Sequence, residues 1–407
     1  MFRGVKKQMN ILYYLKKRGL KRTCQVIWRY KIDFVIQRLF AVIFKNQNLQ
    51  NIIIIESHND FDSNGGAFYN YLIKNKYNDR YKIVWLIRNK KPEALPQNVE
   101  CYGIYKPSLK KDYYLSNAKY ILTCQDALGI VRDGQKAYYL THGAMALKNT
   151  KGNISVSDSM TYILAPSEYL KSIQADLLSI PYPNDKQIIL GYPCHDVLYN
   201  LESGDLSKLT DYTFNKVVLW MPTFRKSKID NRIDSSIEYT MGIPIVSDIE
   251  EYKKLNNILN SLDILLIIKI HPMQDLEQIK IYSDTNIIVI DGNKVKELDI
   301  DNYRLMVDAD AMISDYSSSG TDFLHTGRPI AYTLDDINEY KLGFIVENPK
   351  DFMPGMKIYC FENLINFFVS LNNGEDEYYT QRKSVLNKMF TFHDGNSSSR
   401  LAEHLGL

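Results

Sequence analysis

An α/β fold, repeated as two domains in tandem, is what this sequence predicts, and three observations predict it. At 407 residues the chain is too long for one ordinary core. From Asn51 onward, short apolar runs rich in β-branched residues alternate with longer amphipathic ones, the pattern of buried parallel strands separated by helices. The alternation breaks once, at the polar stretch LESGDLSKLTD (201–211), and then restarts, so that stretch reads as a linker between two lobes.

The first 50 residues stand apart as a basic amphipathic helical segment. Residues 1–45 carry twelve Lys or Arg and one acid, Asp33. Ile32, Val35, Ile36, Leu39, Phe40 and Ile43 recur at helical spacing, bordered by Arg29, Lys31, Arg38 and Lys45. Such a helix either lies on an anionic membrane surface or docks its apolar face onto the main fold. The first domain, residues 51–205, contains strand-like runs at 52–55, 83–87, 120–123, 137–140, 162–165 and 188–190, with helical patterns at 67–74 and 168–178. The second, residues 206–407, has strand-like runs at 217–221, 264–270, 287–290, 311–314 and 329–332, with helical patterns at 249–262 and 359–371.

Composition excludes several classes. Apolar residues make up 45% and charged residues 24%, ordinary values for a soluble globular chain. The five cysteines, Cys24, Cys101, Cys124, Cys194 and Cys360, are scattered without a C-x-x-C pair, which predicts reduced thiols and neither a disulfide framework nor a zinc site. No signal peptide and no stretch of about 20 apolar residues is found, so a cytoplasmic protein is expected. The net charge of +3 is concentrated at the start and no recognition motif follows, which argues against nucleic-acid binding. Neither G-x-G-x-x-G nor a P-loop lysine motif occurs, against a dinucleotide enzyme or an ATPase.

Open α/β sheets bind ligands beyond the carboxyl ends of their strands, so the polar residues there carry the functional expectation. Four such places hold unusual chemistry. In YLTHGAMALK (139–148), Gly143 permits a tight turn beside His142, a candidate general base or a histidine that only bonds a loop. In WMPTFRKSK (220–228), Thr223, Arg225, Lys226 and Lys228 form either a phosphate clamp or a solvated basic loop. In IIKIHPM (267–273), His271 follows a strand and Pro272 breaks it. In ISDYSSSGTDF (313–323), the serines begin a helix after a strand, as an anion cradle or a plain N-cap, with the role of Asp315 open. Together they suggest a site for a negatively charged, phosphate-bearing ligand.

The set H-G, P-T-F-R, H-P and S-D-Y-S-S-x-x-x-D-F, in this order, resembles the CDP-glycerol glycerophosphotransferase family of teichoic acid and capsule alditol-phosphate primases and polymerases. ESHNDFDSNGGAFYNYL (56–72) and GYPCHD (191–196) extend the resemblance, which spans about residues 51–368. It implies a GT-B-like fold, two Rossmann-type domains facing a central cleft. It implies transfer of an alditol phosphate from CDP-glycerol or CDP-ribitol to a hydroxyl of a lipid-linked saccharide or an alditol-phosphate polymer, releasing CMP, without cofactor or metal. By resemblance His142 is the catalytic base, with Gly143 beside it, and His271 is a second essential histidine near the donor phosphates. Thr223, Phe224 and Arg225 correspond to a donor-binding segment, and Ser317, Ser318 and Asp322 to the residues that hold the CDP-alditol. A membrane-embedded acceptor implies a peripheral enzyme on the cytoplasmic face of the membrane. Two departures stand out. H-G-T-P-L-K, common in the family, is here HGAMALK, with Ala144 and Met145 in place of Thr and Pro and Lys148 displaced by one residue. P-R-N-D is here PCHD, with Cys194 in place of Arg. The large additional N-terminal domain of some polymerases is not seen, which favours a primase, a short polymerase or a capsule enzyme. A GT-B glycosyltransferase using a nucleotide sugar is the rival enzyme, and a non-catalytic polymer- or membrane-binding module the rival of another class.

Overall fold

The computed structural model describes residues 11–89, 91–125, 128–141, 143–152, 154, 156–199, 204–227 and 232–407. His142, Lys228, the start of the basic segment and part of the 201–211 stretch lie outside the described residues. The chain forms two compact units. The first comprises Met1–Gly143, Lys151–Asp196 and Asp394–Leu407, the second Ala144–Thr150 and Val197–His393. The polar stretch suggests a single cut at 205/206, whereas the chain changes unit at 143/144, 150/151, 196/197 and 393/394.

In the first unit, β1 (Gln50–Glu56), β2 (Lys82–Ile87), β3 (Val99–Gly103), β4 (Ala118–Thr123), β5 (Lys136–Tyr139), β6 (Tyr162–Leu164) and β7 (Gln187–Ile188) form a sheet ordered β3-β2-β1-β4-β5-β6-β7. Every pair is parallel. Ile52, Ile53, Ile54 and Ile55 are all buried. Successive strand residues point to opposite faces, so four buried in a row require both faces to be covered. One face packs Ile52 and Ile54 with Val84, Leu86, Tyr114, Leu115 and Ile121.

In the second unit, β8 (Lys216–Trp220) is followed by a short antiparallel pair, β9 (Lys226–Ser227) and β10 (Arg232–Ile233). β11 (Ile264–Lys269), β12 (Ile287–Ile290), β13 (Ala311–Ser314), β14 (Ile330–Thr333) and β15 (Met356–Ile358) complete a parallel sheet ordered β12-β11-β8-β13-β14-β15. Counting strands from the first of each sheet, both orders begin 3-2-1-4-5-6, the doubly wound order in which ligands sit where the winding reverses. That point lies between β1 and β4 in the first unit, and between β8 and β13 in the second.

The N-terminal segment divides the two sequence expectations for its packing: its second helix docks on the first unit while most of the apolar stripe stays exposed. Helix Asp33–Ile43 docks chiefly through Asp33 and Gln37, its buried residues, with Ile36 and Phe40 the half-buried members of its apolar stripe. Asp33 pairs with Lys111 at 2.6 Å, both side chains fully buried. Gln37 donates to Asp112 at 2.8 Å. Phe40 and Phe44 close the contact edge-on against Tyr113. The periodicity marks the helix correctly, but a buried ion pair, not apolar burial, selects the docked face. Phe34, Val35, Leu39, Val42 and Ile43 remain exposed, at 47%, 57%, 58%, 66% and 66%. Among the described residues no helix is long and apolar enough to cross a membrane.

The C-terminal helix Ser397–Leu405 belongs to the first unit because Asp196 caps it. The Asp196 carboxylate accepts from Ser397 N at 2.8 Å and Ser398 N at 2.7 Å, and all three residues are buried. The last residue of GYPCHD thus supplies partners for two backbone N–H groups that the helix cannot satisfy itself. Asp196→Ala should cost about 1–2 kcal/mol. A lowered urea midpoint with unchanged slope checks this, and an unchanged midpoint contradicts it.

Candidate active site

The second unit gathers three strand ends around one guanidinium. After β8 the chain runs through Pro222 to Thr223, Phe224 and Arg225, all buried. Arg225 Nε and Nη2 donate to the two carboxylate oxygens of Asp336 at 2.6 and 3.0 Å, a bidentate pair. Its Nη1 donates to Asp315 at 3.0 Å and to the Thr223 carbonyl at 2.7 Å. Asp315 follows β13 and Asp336 lies beyond β14, so the side chain ties the loops after β8, β13 and β14 together. Burial alone would lower the pKa of Arg225, but Asp315, Tyr316 and Asp336 outweigh it and hold the charge firmly.

Asp315, whose role the sequence leaves open, is the second hub. Its carboxylate accepts from Thr223 N at 2.9 Å, Thr223 Oγ1 at 2.7 Å and Ser317 N at 3.0 Å. Tyr316 donates to Asp336 at 2.5 Å, and burial, with the neighbouring acids, raises its pKa far above the phenol range. Sequence reasoning left Asp315 open and did not single out Tyr316 or Asp336, the other members of this network. The available signal was the acid directly after the predicted strand 311–314, and the Asp335-Asp336 pair a few residues beyond the predicted strand 329–332.

The expected site residues fall out as follows. Arg225 is 4% exposed and four of its five N–H groups are engaged by protein, so the arginine is a strut between loops, where the sequence left a phosphate clamp and a solvated basic loop both open. Phe224 lies against His271, ring centroids 4.9 Å apart. His271 Nδ1 accepts from Met273 N at 3.0 Å. An accepting Nδ1 carries no proton, so the neutral ring holds its proton on Nε2, where it can donate. Thr223, Arg225, His271, Tyr239, Gln274 and Gln278 line a cavity of about 250 Å³ within this unit. Ser317 and Ser318 lie at the start of helix Ser318–Phe323, where Ser317 Oγ accepts from Ser319 N at 3.4 Å, so this serine is an N-cap. Ser318 is half-buried beside it. Asp322, on the same helix, accepts from Ala144 N at 3.1 Å. That bond uses backbone, so it does not depend on which side chain occupies position 144.

In the first unit, Gly143 has φ 139, a conformation that disfavours any side chain. Glu56, at the end of β1, accepts from Cys124 N and Gln125 N at 3.1 and 3.0 Å and pairs with Arg88 at 2.5 Å. It thereby joins the ends of β1, β2 and β4.

Two doubly wound units, the second with histidine, hydroxyl and carboxylate groups beyond the carboxyl ends of its strands, have the architecture of α/β enzymes that bind small ligands there. The family model for CDP-Glycerol:Poly(glycerophosphate) glycerophosphotransferase matches residues 37–406, and the chain belongs to that family. It is 25% identical to the teichoic acid poly(glycerol phosphate) polymerase of Bacillus spizizenii, over 94% of this chain and 99% of that one. It is also 25% identical to the teichoic acid glycerol-phosphate primase of Bacillus subtilis, over 95% of this chain and 98% of that one. The fold is that of the wall teichoic acid polymerase TagF, with a TM-score of 0.70 at 18% identity, covering 97% of each chain.

Lys269, the last residue of β11 and two before His271, is 5% exposed. Burial lowers its pKa to about 8, only partly opposed by Asp301. The unfolded chain therefore binds the extra proton between about pH 8 and the ordinary lysine value of about 10.4, and stability rises with pH across that window. Lys269→Met, similar in volume and uncharged, should be more stable than the parent at pH 7 by up to about 3 kcal/mol. The gap should close above about pH 10. Paired thermal melts at the two pH values check this, and a gap independent of pH contradicts it.

Proposed function

We propose that this enzyme transfers glycerol phosphate from CDP-glycerol to a terminal hydroxyl of a lipid-linked glycerol-phosphate acceptor, releasing CMP, in teichoic acid synthesis. The observation that carries the reading is the family match over 37–406, supported by Thr223 and His271 lining one cavity and by Thr223 and Ser317 sharing the Asp315 carboxylate in the second unit. Relatives named for glycerol phosphate polymerisation and priming support glycerol over ribitol as the alditol.

The acceptor oxygen forms a bond to the glycerol-bearing phosphorus as the bond from that phosphorus to the CMP oxygen breaks. His142 takes the acceptor proton, and Gly143 gives the backbone its turn beside it. On the second unit, the Nε2–H of His271 donates to the phosphate oxygens whose charge grows as CMP leaves. Thr223 and Phe224 border the donor, Arg225 fixes both, and Ser317, Ser318 and Asp322 bind its polar groups. Rate acceleration comes from positioning and charge stabilisation, as in phosphoryl transfer generally. His142→Ala should lower CMP release in single-turnover assays by about 10²–10⁴-fold. Near-parental release would remove His142 from the role of base.

The enzyme works at an anionic membrane surface through its N-terminal helix. The exposed Phe34, Val35, Leu39, Val42 and Ile43, with exposed Lys31, Arg38 and Lys45 alongside, support this reading. Replacing Leu39, Val42 and Ile43 together by Ser should weaken co-sedimentation with anionic vesicles at least about tenfold, since each buried apolar side chain contributes on the order of 1 kcal/mol or more. Their exposure predicts an unchanged melting temperature. Undiminished vesicle binding contradicts the assignment.

A further inference from the structure

The segment ESHNDFDSNGG is not used by the mechanism above, yet it contains a fully buried asparagine in the first turn of helix Ser63–Lys74. Asn64 directs its bonds outward to backbone from two other parts of the first unit. Its Nδ2 donates to the Leu140 carbonyl at 2.8 Å and to the Thr141 carbonyl at 3.2 Å. Its Oδ1 accepts from Cys194 N at 3.1 Å. The amide is therefore used on both its donor and its acceptor side, and removing either leaves buried backbone groups without partners.

The place where these bonds fall gives them significance. Leu140 N makes a final ladder bond to Thr123 O at 2.8 Å. Beyond it Thr141 turns into the left-handed region at φ 59, a costly conformation for a β-branched residue that persists only where surroundings impose it. Thr141 Oγ1 then donates to the Gly143 carbonyl at 3.0 Å, and Gly143 itself has φ 139. The backbone on both sides of position 142 is thus held, and the hold on the upstream side is the Asn64 amide. The helix start that carries Asn64 is itself fixed. A Cβ on Gly66 would lie 2.0 Å from the Phe61 carbonyl, so the helix packs directly on the preceding loop.

We infer that Asn64 is a positioning residue for His142: its amide takes over where the β5 ladder ends and fixes the backbone of Leu140 and Thr141, the two residues that lead into position 142. The inference rests on the reading of His142 as the base. Asn64→Asp keeps the shape and the bond from Cys194 N but replaces the two donors to Leu140 and Thr141 with a carboxylate oxygen. Its kcat for CMP release should fall about 10–100-fold, the effect of misplacing a reacting group by about an ångström. KM for CDP-glycerol should stay within about twofold, because the donor residues lie on the other unit. In a His142→Ala background, Asn64→Asp should cause no further loss, since a residue acting only through His142 has nothing left to position. Tyr138→Phe, which removes a bond to His404 in the same unit, serves as a stability control. An Asn64→Asp variant that loses no more turnover than this control, or that loses the same factor with and without His142, would overturn the inference. His142→Ala with parental turnover would overturn the base assignment and this inference with it; an inactive His142→Ala beside an undiminished Asn64→Asp would overturn the inference alone. If Asn64→Asp does not fold, the same cycle is read on Asn64→Ser.

Discussion

The buried guanidinium of Arg225, gripped by Asp336 on one side and by Asp315 on the other, is the interaction on which the second unit's binding apparatus depends. A parallel sheet delivers its loops separately, one after each strand, and nothing in the ladder fixes them to one another. Arg225 does so for the loops after β8, β13 and β14. Taking such charges out of water is expensive, and a well-packed apolar substitute is often as stable, whereas removing one partner commonly costs about 3–5 kcal/mol. The network specifies a conformation more than it adds stability. Thr223 and Ser317 hang on the same Asp315 carboxylate, so the position of one hydroxyl is tied to that of the other. The first unit uses the same device at its own switch point, where Glu56 joins the ends of β1, β2 and β4.

Much of the fold was legible because parallel strands buried on both faces must be continuously apolar. Ile52–Ile55 in β1 and the apolar run of β11 could hardly be anything else. Four strands escaped: β9 and β10 are two residues each, and β3 and β15 are edge strands with mostly half-buried residues, VECYG and MKI, which lack that signal. The N-terminal helix shows the opposite failure. Its stripe was read correctly, but periodicity reports which residues share a face and not what that face meets. The docked face was chosen by Asp33 and Gln37, whose partners Lys111 and Asp112 lie more than 70 residues away and could not be inferred from local pattern.

The site was legible to the extent that strand ends could be located. Thr223, His271 and Ser317 lie just beyond the strands from which they were expected, Asp322 sits on the helix after β13, and His271 and Thr223 line one cavity. Residue type was a poorer guide to residue task. An arginine after a strand left a clamp or a solvated loop open, but three of its N–H groups are spent on acids that sequence gave no reason to pair with it. Ser317 caps its helix. Lys269, unremarkable in an apolar run, is the buried cation beside His271 in the chain. Motifs that resembled the family without an assigned task proved structural: Asp196 of GYPCHD caps the last helix, and Asn64 links that turn to the end of β5.

These features describe one enzyme only if the chemistry is transfer of an intact alditol phosphate. The most direct measurement is mass spectrometry of a glycerol-phosphate-terminated lipid acceptor after incubation with CDP-glycerol, with CMP quantified in the same reaction. The account predicts acceptor products heavier by whole glycerol phosphate units, with one CMP released per unit added. Transfer of a sugar from a nucleotide-sugar donor, or release of CMP with free glycerol phosphate and an unchanged acceptor, would contradict it.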